Sequence, residues 1–140
     1  MKLFIDTWGW LTLLDRNESR HEDVKKHYHL FREQNGIMYT SDYVVDETIT
    51  LLFRRLPFKT AKAALSKLDK AVKEGYLQME RVTPERFEKA KGLRLKYQDK
   101  PMISSTDITS MVIMKELDIT NSITGDEHFE HIGMNFSLIP

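Results

Sequence analysis

No cysteine occurs among the 140 residues, so neither disulfides nor thiolate-held zinc can support the fold. Long apolar runs are missing as well. Leu3-Phe4-Ile5 meets Asp6 after three residues, short of the ~7–15 of a secretory signal, and nothing approaches the ~18 of a membrane span. The expectation is a cytoplasmic protein with no membrane contact. Charge of one sign is lacking too, since 21 basic residues balance 21 acidic ones. That weighs mildly against a nucleic-acid binder, which often carries a basic excess. The objection weakens if acids gather round a cation, because the ion restores attraction for phosphate while the acids still count against the total. No internal repeat, low-complexity tract, P-loop glycine–lysine motif or dinucleotide glycine fingerprint is present. A phospho-aspartyl hydrolase would want a second acid two residues after Asp6, where Trp8 stands, and the acidic pair a receiver domain needs before its phosphorylated Asp is absent.

What is present is the make-up of one domain over residues 1–140, with 41% hydrophobic residues and enough chain to bury a core without staples. Leu3 to Ile5 read as a buried strand, and Trp8, Leu11 and Leu14 as a short helix. Val24, His27, Tyr28 and Phe31 recur at helical spacing across 21–34, and Gly36 is the stop signal. Ile37 to Thr40 form a second strand, followed from Asp42 by a largely buried helix that Pro57 ends. An amphipathic helix over 58–74 closes at Gly75, and Tyr76 to Val82 form a third strand. Thr83-Pro84 is an N-cap with proline at the first helical position, opening a helix to about Tyr97. Residues 104–117 make another helix, Asn121 to Thr124 a short strand and Phe136 to Ile139 a last one. Strands alternating with helices predict an α/β domain with a mainly parallel central sheet. Ligands in such sheets bind beyond the carboxyl ends of the strands, near the switch in strand order.

Four acids fall near such places. Asp6 follows the first strand and Asp126 the strand at Ile123; Glu47 lies in the helix after the second strand, and Asp107 near the start of the helix at 104–117. Carboxylates drawn together repel unless a cation compensates. Oxygen donors suit Mg²⁺ or Mn²⁺, and such an ion can activate water against a phosphodiester. Each acid also has a plain structural reading. Asp6 and Asp126 fit helix N-caps, and Asp107 fits a capping box with Ser104. Glu47 fits a solvated position beside Asp46, although its apolar surroundings resist that reading best.

The ordered set of motifs resembles the PIN-domain family, and within it the VapC-like toxin ribonucleases. Phe4-Ile5-Asp6-Thr7-Trp8-Gly9-Trp10, with Asp15, His21 and Glu22 beyond, resembles the first family motif. The segment from Thr40 to Leu52 resembles the second, with Glu47 as its acid. Ser104-Ser105-Thr106-Asp107-Ile108-Thr109-Ser110 resembles the third, and Ile123-Thr124-Gly125-Asp126-Glu127-His128-Phe129, with Gly133, the fourth. No single motif is very specific; their order along nearly the whole chain is. The resemblance implies a three-layer α/β sandwich and divalent-metal-dependent endoribonuclease activity leaving a 5′-phosphate and a 3′-hydroxyl. It also implies a toxin paired with an antitoxin protein, and a homodimer. Asp6, Glu47, Asp107 and Asp126 become candidate metal ligands or water positioners, with Mg²⁺ or Mn²⁺ as cofactor. Thr7, Thr124 and Ser110 become supporting hydroxyls. The resemblance departs in the helix after Asp107, where Thr109, Met111, Val112 and Met114 stand in place of the frequent alanines. An antitoxin would lay an apolar helix between the two helices meeting at Pro57. The alternative is a catalytically silent RNA- or protein-binding module on the same scaffold, against which the four intact acids argue.

Other residues carry two readings each. His27 and His29 lie two apart, while His128 and His131, three apart with Glu127 and Glu130 nearby, have helical zinc-ligand spacing; surface polarity explains them more simply. Trp8 and Trp10 fit core or subunit contacts before stacking on RNA bases. Arg54, Arg55, Lys59, Lys62 and Lys67 near the Pro57 turn are solvated charges or a phosphate track. The same holds for Lys89, Lys91, Arg94 and Lys96, which share their helix with Glu85 and Glu88.

Overall fold

In the computed structural model, residues 1–125 and the backbone of 137–139 are described. The order is β1 (Lys2–Ile5), α1 (Thr7–Leu14), α2 (His21–Glu33), β2 (Ile37–Ser41), α3 (Asp42–Arg55), α4 (Phe58–Lys73), β3 (Leu77–Glu80), α5 (Pro84–Lys96), α6 (Ser105–Glu116), β4 (Asn121–Ile123) and β5 (Ser137–Ile139). Each element lies where the sequence pattern predicts it, with ends shifted by a few residues at most. β3 is the most shortened, because Tyr76, Arg81 and Val82 fall outside the ladder.

The five strands pair in the order β3-β2-β1-β4-β5, and every pairing is parallel. Leu3, Phe4 and Ile5 are each at most 1% exposed. A central parallel strand is covered on both faces, which is why it reads as an unbroken apolar run. Burying each of those side chains is worth about 1.5–3 kcal/mol relative to exposure. The helices flank the sheet, and most of the core packs between them and β1, β2 and β4. A second cluster joins Leu11, Leu52, Ala61 and Ala64, locking α1, α3 and α4 together.

Local chemistry closes the helices. Ser41 Oγ accepts the Val44 N–H at 3.1 Å, Thr83 Oγ1 that of Arg86 at 3.2 Å, and Ser104 Oγ that of Asp107 at 3.0 Å, satisfying donors that no helical carbonyl can reach. At the end of α2 the left-handed residue is Asn35 (φ 58°) rather than Gly36. The Gly36 N–H reaches back to the Phe31 carbonyl, the bond that terminates a helix after a left-handed residue.

α5 is fastened by Arg86, whose guanidinium meets Glu116 at 3.0 Å and Glu80 at 3.1 Å and donates to the Arg81 carbonyl at 2.8 Å. The basic residues of this helix largely meet partners from the chain itself. Lys91 pairs with Glu88 and Lys89 approaches Glu116. Arg94 donates to the carbonyls of Lys100 and Ile103. Among the described residues no helix is long and apolar enough to cross a membrane.

Candidate active site

Strand order sets the location. From β1 the chain passes to β2 on one side, while β4 returns to β1 on the other, so the switch in strand order lies between the carboxyl ends of β1 and β4. That is where open α/β sheets leave a crevice for ligands. Asp6 follows β1 there, and Thr124 follows β4.

Asp6 is 3% exposed. It is the N-cap of α1, its Oδ1 accepting the Gly9 N–H at 2.9 Å, so the structural reading of this acid holds. It does not account for the depth of burial. Most N-caps sit at the surface, and burying a carboxylate is costly unless partners or a cation offset it. Next to it, the Thr7 hydroxyl is buried with no hydrogen-bond partner among the described residues. An orphaned hydroxyl beside a buried acid is polar capacity that the fold itself does not use.

Gly9 lets α1 approach the sheet. A Cβ at this position would lie 2.5 Å from the Ile123 carbonyl oxygen and 2.9 Å from Ile5 Cγ2. Gly125 is held in the same way by Trp8, whose indole would stand 2.5 Å from a Cβ there. Behind the site Trp10 is buried, and its indole N–H donates to Thr40 Oγ1 at 3.0 Å. Thr40 in turn donates to the Ile5 carbonyl at 3.0 Å. This relay fixes the backbone residue that precedes Asp6 and assigns Trp10 to the core. Sequence reasoning missed it, because nothing local links position 10 to position 40.

Glu47 is half-buried on α3 and lines a cavity of about 380 Å³ with Tyr43, Asp46, Thr50, Leu51, Arg54 and Thr106. The α3 members recur at helical spacing, and Thr106 comes from the first turn of α6, which packs against α3. Asp107 is the next residue, half-buried. Its backbone N–H is capped by Ser104, one half of the capping box that the structural reading expects. Ser110 is fully buried and donates to the Thr106 carbonyl at 3.1 Å, so its hydroxyl braces the turn that carries Thr106 and Asp107. Thr124 is buried at the end of β4.

The structure therefore brings Asp6, Thr7 and Thr124 to the switch point, and Glu47 together with Thr106 into a cavity formed by α3 and the start of α6. Asp126 lies outside the described residues, as do His128, His131, Glu127 and Glu130. Among the described residues no three acidic or histidine side chains form a group that could hold a metal ion, and His27 and His29 stand exposed. Mg²⁺ needs only one or two protein carboxylates, completing its shell with water and phosphate. The all-oxygen donors here, with the buried acid and orphaned hydroxyl, fit such an ion. The N-termini of α1, α3 and α6 all follow strand ends or lead down into a parallel strand, and so point to this edge of the sheet. Their dipoles favour an anion such as phosphate.

A second, larger cavity of about 780 Å³ opens between α1, α2 and α4, lined by Leu13, Leu14, Leu56, Pro57 and Leu68 among others, with Arg16, Lys25 and Lys67 at its margins. Its polar wall is the Tyr28–Tyr76 pair, hydroxyls 3.5 Å apart, with the Arg32 guanidinium 3.6 Å over the Tyr76 ring. Burial, and then the Tyr76 hydroxyl, push the Tyr28 hydroxyl well above its ordinary value, so it stays protonated.

Comparison with known proteins agrees with this fold. A family model of the PIN domain matches residues 3–134. The 23S rRNA-specific endonuclease VapC20 of Mycobacterium tuberculosis, from each of two strains, is 30% identical over 132 residues, covering 94% of both chains. The crystal structure of VapC20, a sarcin–ricin-loop-cleaving toxin, superposes with a TM-score of 0.78 at 28% identity, covering 94% of this chain and 95% of that one. VapBC2 from Rickettsia felis, bound to a DNA fragment from its promoter, superposes at 0.73 with 14% identity, over 99% of this chain and 97% of that one. FitAcB from Neisseria gonorrhoeae follows at 0.67 with 14% identity, over 99% and 96%. These two likenesses concern the fold alone. With its motifs in family order, its parallel sheet and a relative matched over 94% of both chains, the chain belongs to the PIN-domain family and is VapC-like within it.

Proposed function

We propose that this chain is a toxin-type endoribonuclease, dependent on Mg²⁺ or Mn²⁺, that hydrolyses RNA phosphodiester bonds at the edge of the sheet between β1 and β4. The observation that carries the reading is Asp6, buried at the switch point beside an orphaned hydroxyl. Asp6, Asp107 and Asp126 would hold the cation, and Glu47 belongs to the same site. A divalent ion there supplies water activation and neutralises charge on the phosphate. Glu47 accepts a hydrogen bond from the attacking water and orients it, while Thr7 and Thr124 support the acids. The N-terminal dipoles of α1, α3 and α6 stabilise the phosphate oxygens as charge grows on them. The products are a 5′-phosphate and a 3′-hydroxyl. Since VapC20 acts on 23S rRNA, a structured ribosomal RNA loop is the first substrate to try.

Two partners belong to this reading, an antitoxin protein and a second copy of the chain. The space between α3 and α4 near Pro57 is filled by Leu11, Leu52, Ala61 and Ala64. The antitoxin helix therefore lies along the open groove between α1, α2 and α4, with Leu56 and Pro57 at its margin. Co-purification with the product of a neighbouring reading frame tests the first partner, and sedimentation of the purified chain the second.

The deciding experiment incubates purified protein with ribosomal and mixed RNA in Mg²⁺, Mn²⁺ or EDTA, beside Asp6→Asn. Asparagine caps a helix as well as aspartate, so the variant folds and loses only the charge. Cutting that needs the cation and vanishes in Asp6→Asn is expected. Undiminished cutting by that variant would overturn the assignment of Asp6 to the site, and RNA binding without cutting under any ion would replace the nuclease reading with that of a binding module.

A further inference from the structure

The cavity that holds Glu47 also holds one cation. Arg54 is two helical turns beyond Glu47 on the same face of α3 and is exposed to solvent. We propose that Arg54 is a positioning residue that grips an RNA phosphate next to the scissile one, so that α3 presents a water-orienting end and a phosphate-binding end. The inference rests on reading the acids as a nuclease centre.

Geometry favours it. The seven residues from Glu47 to Arg54 span about 10 Å along the helix, which puts a phosphate beyond the one facing Glu47 within reach of the guanidinium. Asp46, the other acid in the cavity, sits beside Glu47 and one residue farther from Arg54, so the charges are segregated along the helix axis. Arg54 has no partner of its own for an ion pair among the described residues. The positions three and four away are Thr50, Leu51, Pro57 and Phe58, none of them acidic, so the usual helical pairing is excluded. Arg86 and Arg94, by contrast, are bound to carboxylates or carbonyls. A planar guanidinium with several donors and no competing acid is well matched to phosphate oxygens.

The bland account is that Arg54 only complements the C-terminal dipole of α3. Arg55 provides the control, because it occupies the same last turn, equally lacks acidic neighbours on the helix, and does not line the cavity. Helix stabilisation would be shared by both residues; phosphate binding would not.

The test compares wild type, Arg54→Gln, Arg54→Lys and Arg55→Gln. Affinity for a single-stranded RNA oligonucleotide is measured in EDTA across a salt series, and kcat and KM are measured in Mg²⁺. In Arg54→Gln we expect affinity to fall roughly tenfold, the slope of log K against log salt to drop by about 0.7, and KM to rise with kcat nearly unchanged. Arg54→Lys should keep the slope, and Arg55→Gln should match wild type. Equal effects of the two glutamine variants, an unchanged slope, or no RNA binding by the wild type would overturn the proposal. If wild type cuts nothing yet shows the Arg54-dependent slope, the nuclease reading fails and phosphate binding by Arg54 stands. If wild type cuts RNA and Arg54→Gln is indistinguishable from it, the reverse holds.

Discussion

Two helical glycines answer to opposite physics, and replacing each with alanine separates packing from propensity. In a free helix, Gly→Ala stabilises by about 1 kcal/mol. Gly92, inside α5, has open space where a Cβ would go, so Gly92→Ala should gain roughly 0.5–1 kcal/mol. A Cβ at Gly9 would lie 2.5 Å from the Ile123 carbonyl oxygen and 2.9 and 3.0 Å from two isoleucine methyls. These atoms belong to two central strands that cannot yield, so α1 must retreat by about 1 Å to reach ordinary contact. Overpacking of this kind costs about 1–3 kcal/mol, which cancels or exceeds the propensity gain. Gly9→Ala should therefore be less stable than Gly92→Ala by about 1–3 kcal/mol, or roughly 3–9 °C in melting temperature for a domain of this size. The retreat also strains the 2.9 Å bond from the Gly9 N–H to Asp6 Oδ1. A displacement of about 1 Å at a reacting group can cost 10²-fold, so RNA cleavage by Gly9→Ala should fall steeply while Gly92→Ala cuts normally. Urea denaturation and single-turnover cleavage read both effects. If Gly9→Ala were as stable and active as Gly92→Ala, the close approach of α1 to β1 and β4 would be wrong.

Three further outcomes are expected. Thr40→Val removes the acceptor of the buried Trp10 indole N–H and should cost about 1–3 kcal/mol by urea titration. Thr7→Val removes a buried hydroxyl that no described residue satisfies, so stability should hold or rise while cleavage falls; a loss of stability would show that the hydroxyl serves the fold. Arg86→Gln should destabilise by about 1 kcal/mol at neutral pH, and the gap from wild type should close in acid. The Arg86 hydrogen bond holds Glu116 below its ordinary 4.5. A carboxyl lowered by folding stabilises the native state above its unfolded value, and that contribution is lost as pH falls through its folded one. A gap constant from pH 7 to 3, read by denaturant midpoints, would refute this.

Much of the fold is legible along the chain because its signals are local. The apolar run of β1, the Pro57 stop, Thr83-Pro84 and Gly75 each act through a few neighbouring residues, and each marks an element boundary within a few positions. Asp6 is legible for the same reason, since it stands at the end of the apolar run Leu3-Phe4-Ile5. The acids resisted separation from ordinary caps, because capping and ligation ask for the same side chain at the same helix end. Asp6 and the Ser104–Asp107 turn do cap.

Composition and period were enough to establish an α/β chain, its order of elements and the positions of its acids. Pairing between distant segments decided the rest. Phe4 aligns with Ser122 across the sheet, a contact between opposite ends of the chain whose closure no local preference encodes, and that pairing creates the switch point beside Asp6. Packing of α6 on α3 likewise put Thr106 into the cavity of Glu47 and Arg54. It was folding, too, that set Lys89 against Glu116 and Arg94 against the Lys100 and Ile103 carbonyls while giving Arg54 no ion-pair partner among the described residues, because a charge's role depends on what the third dimension sets opposite it.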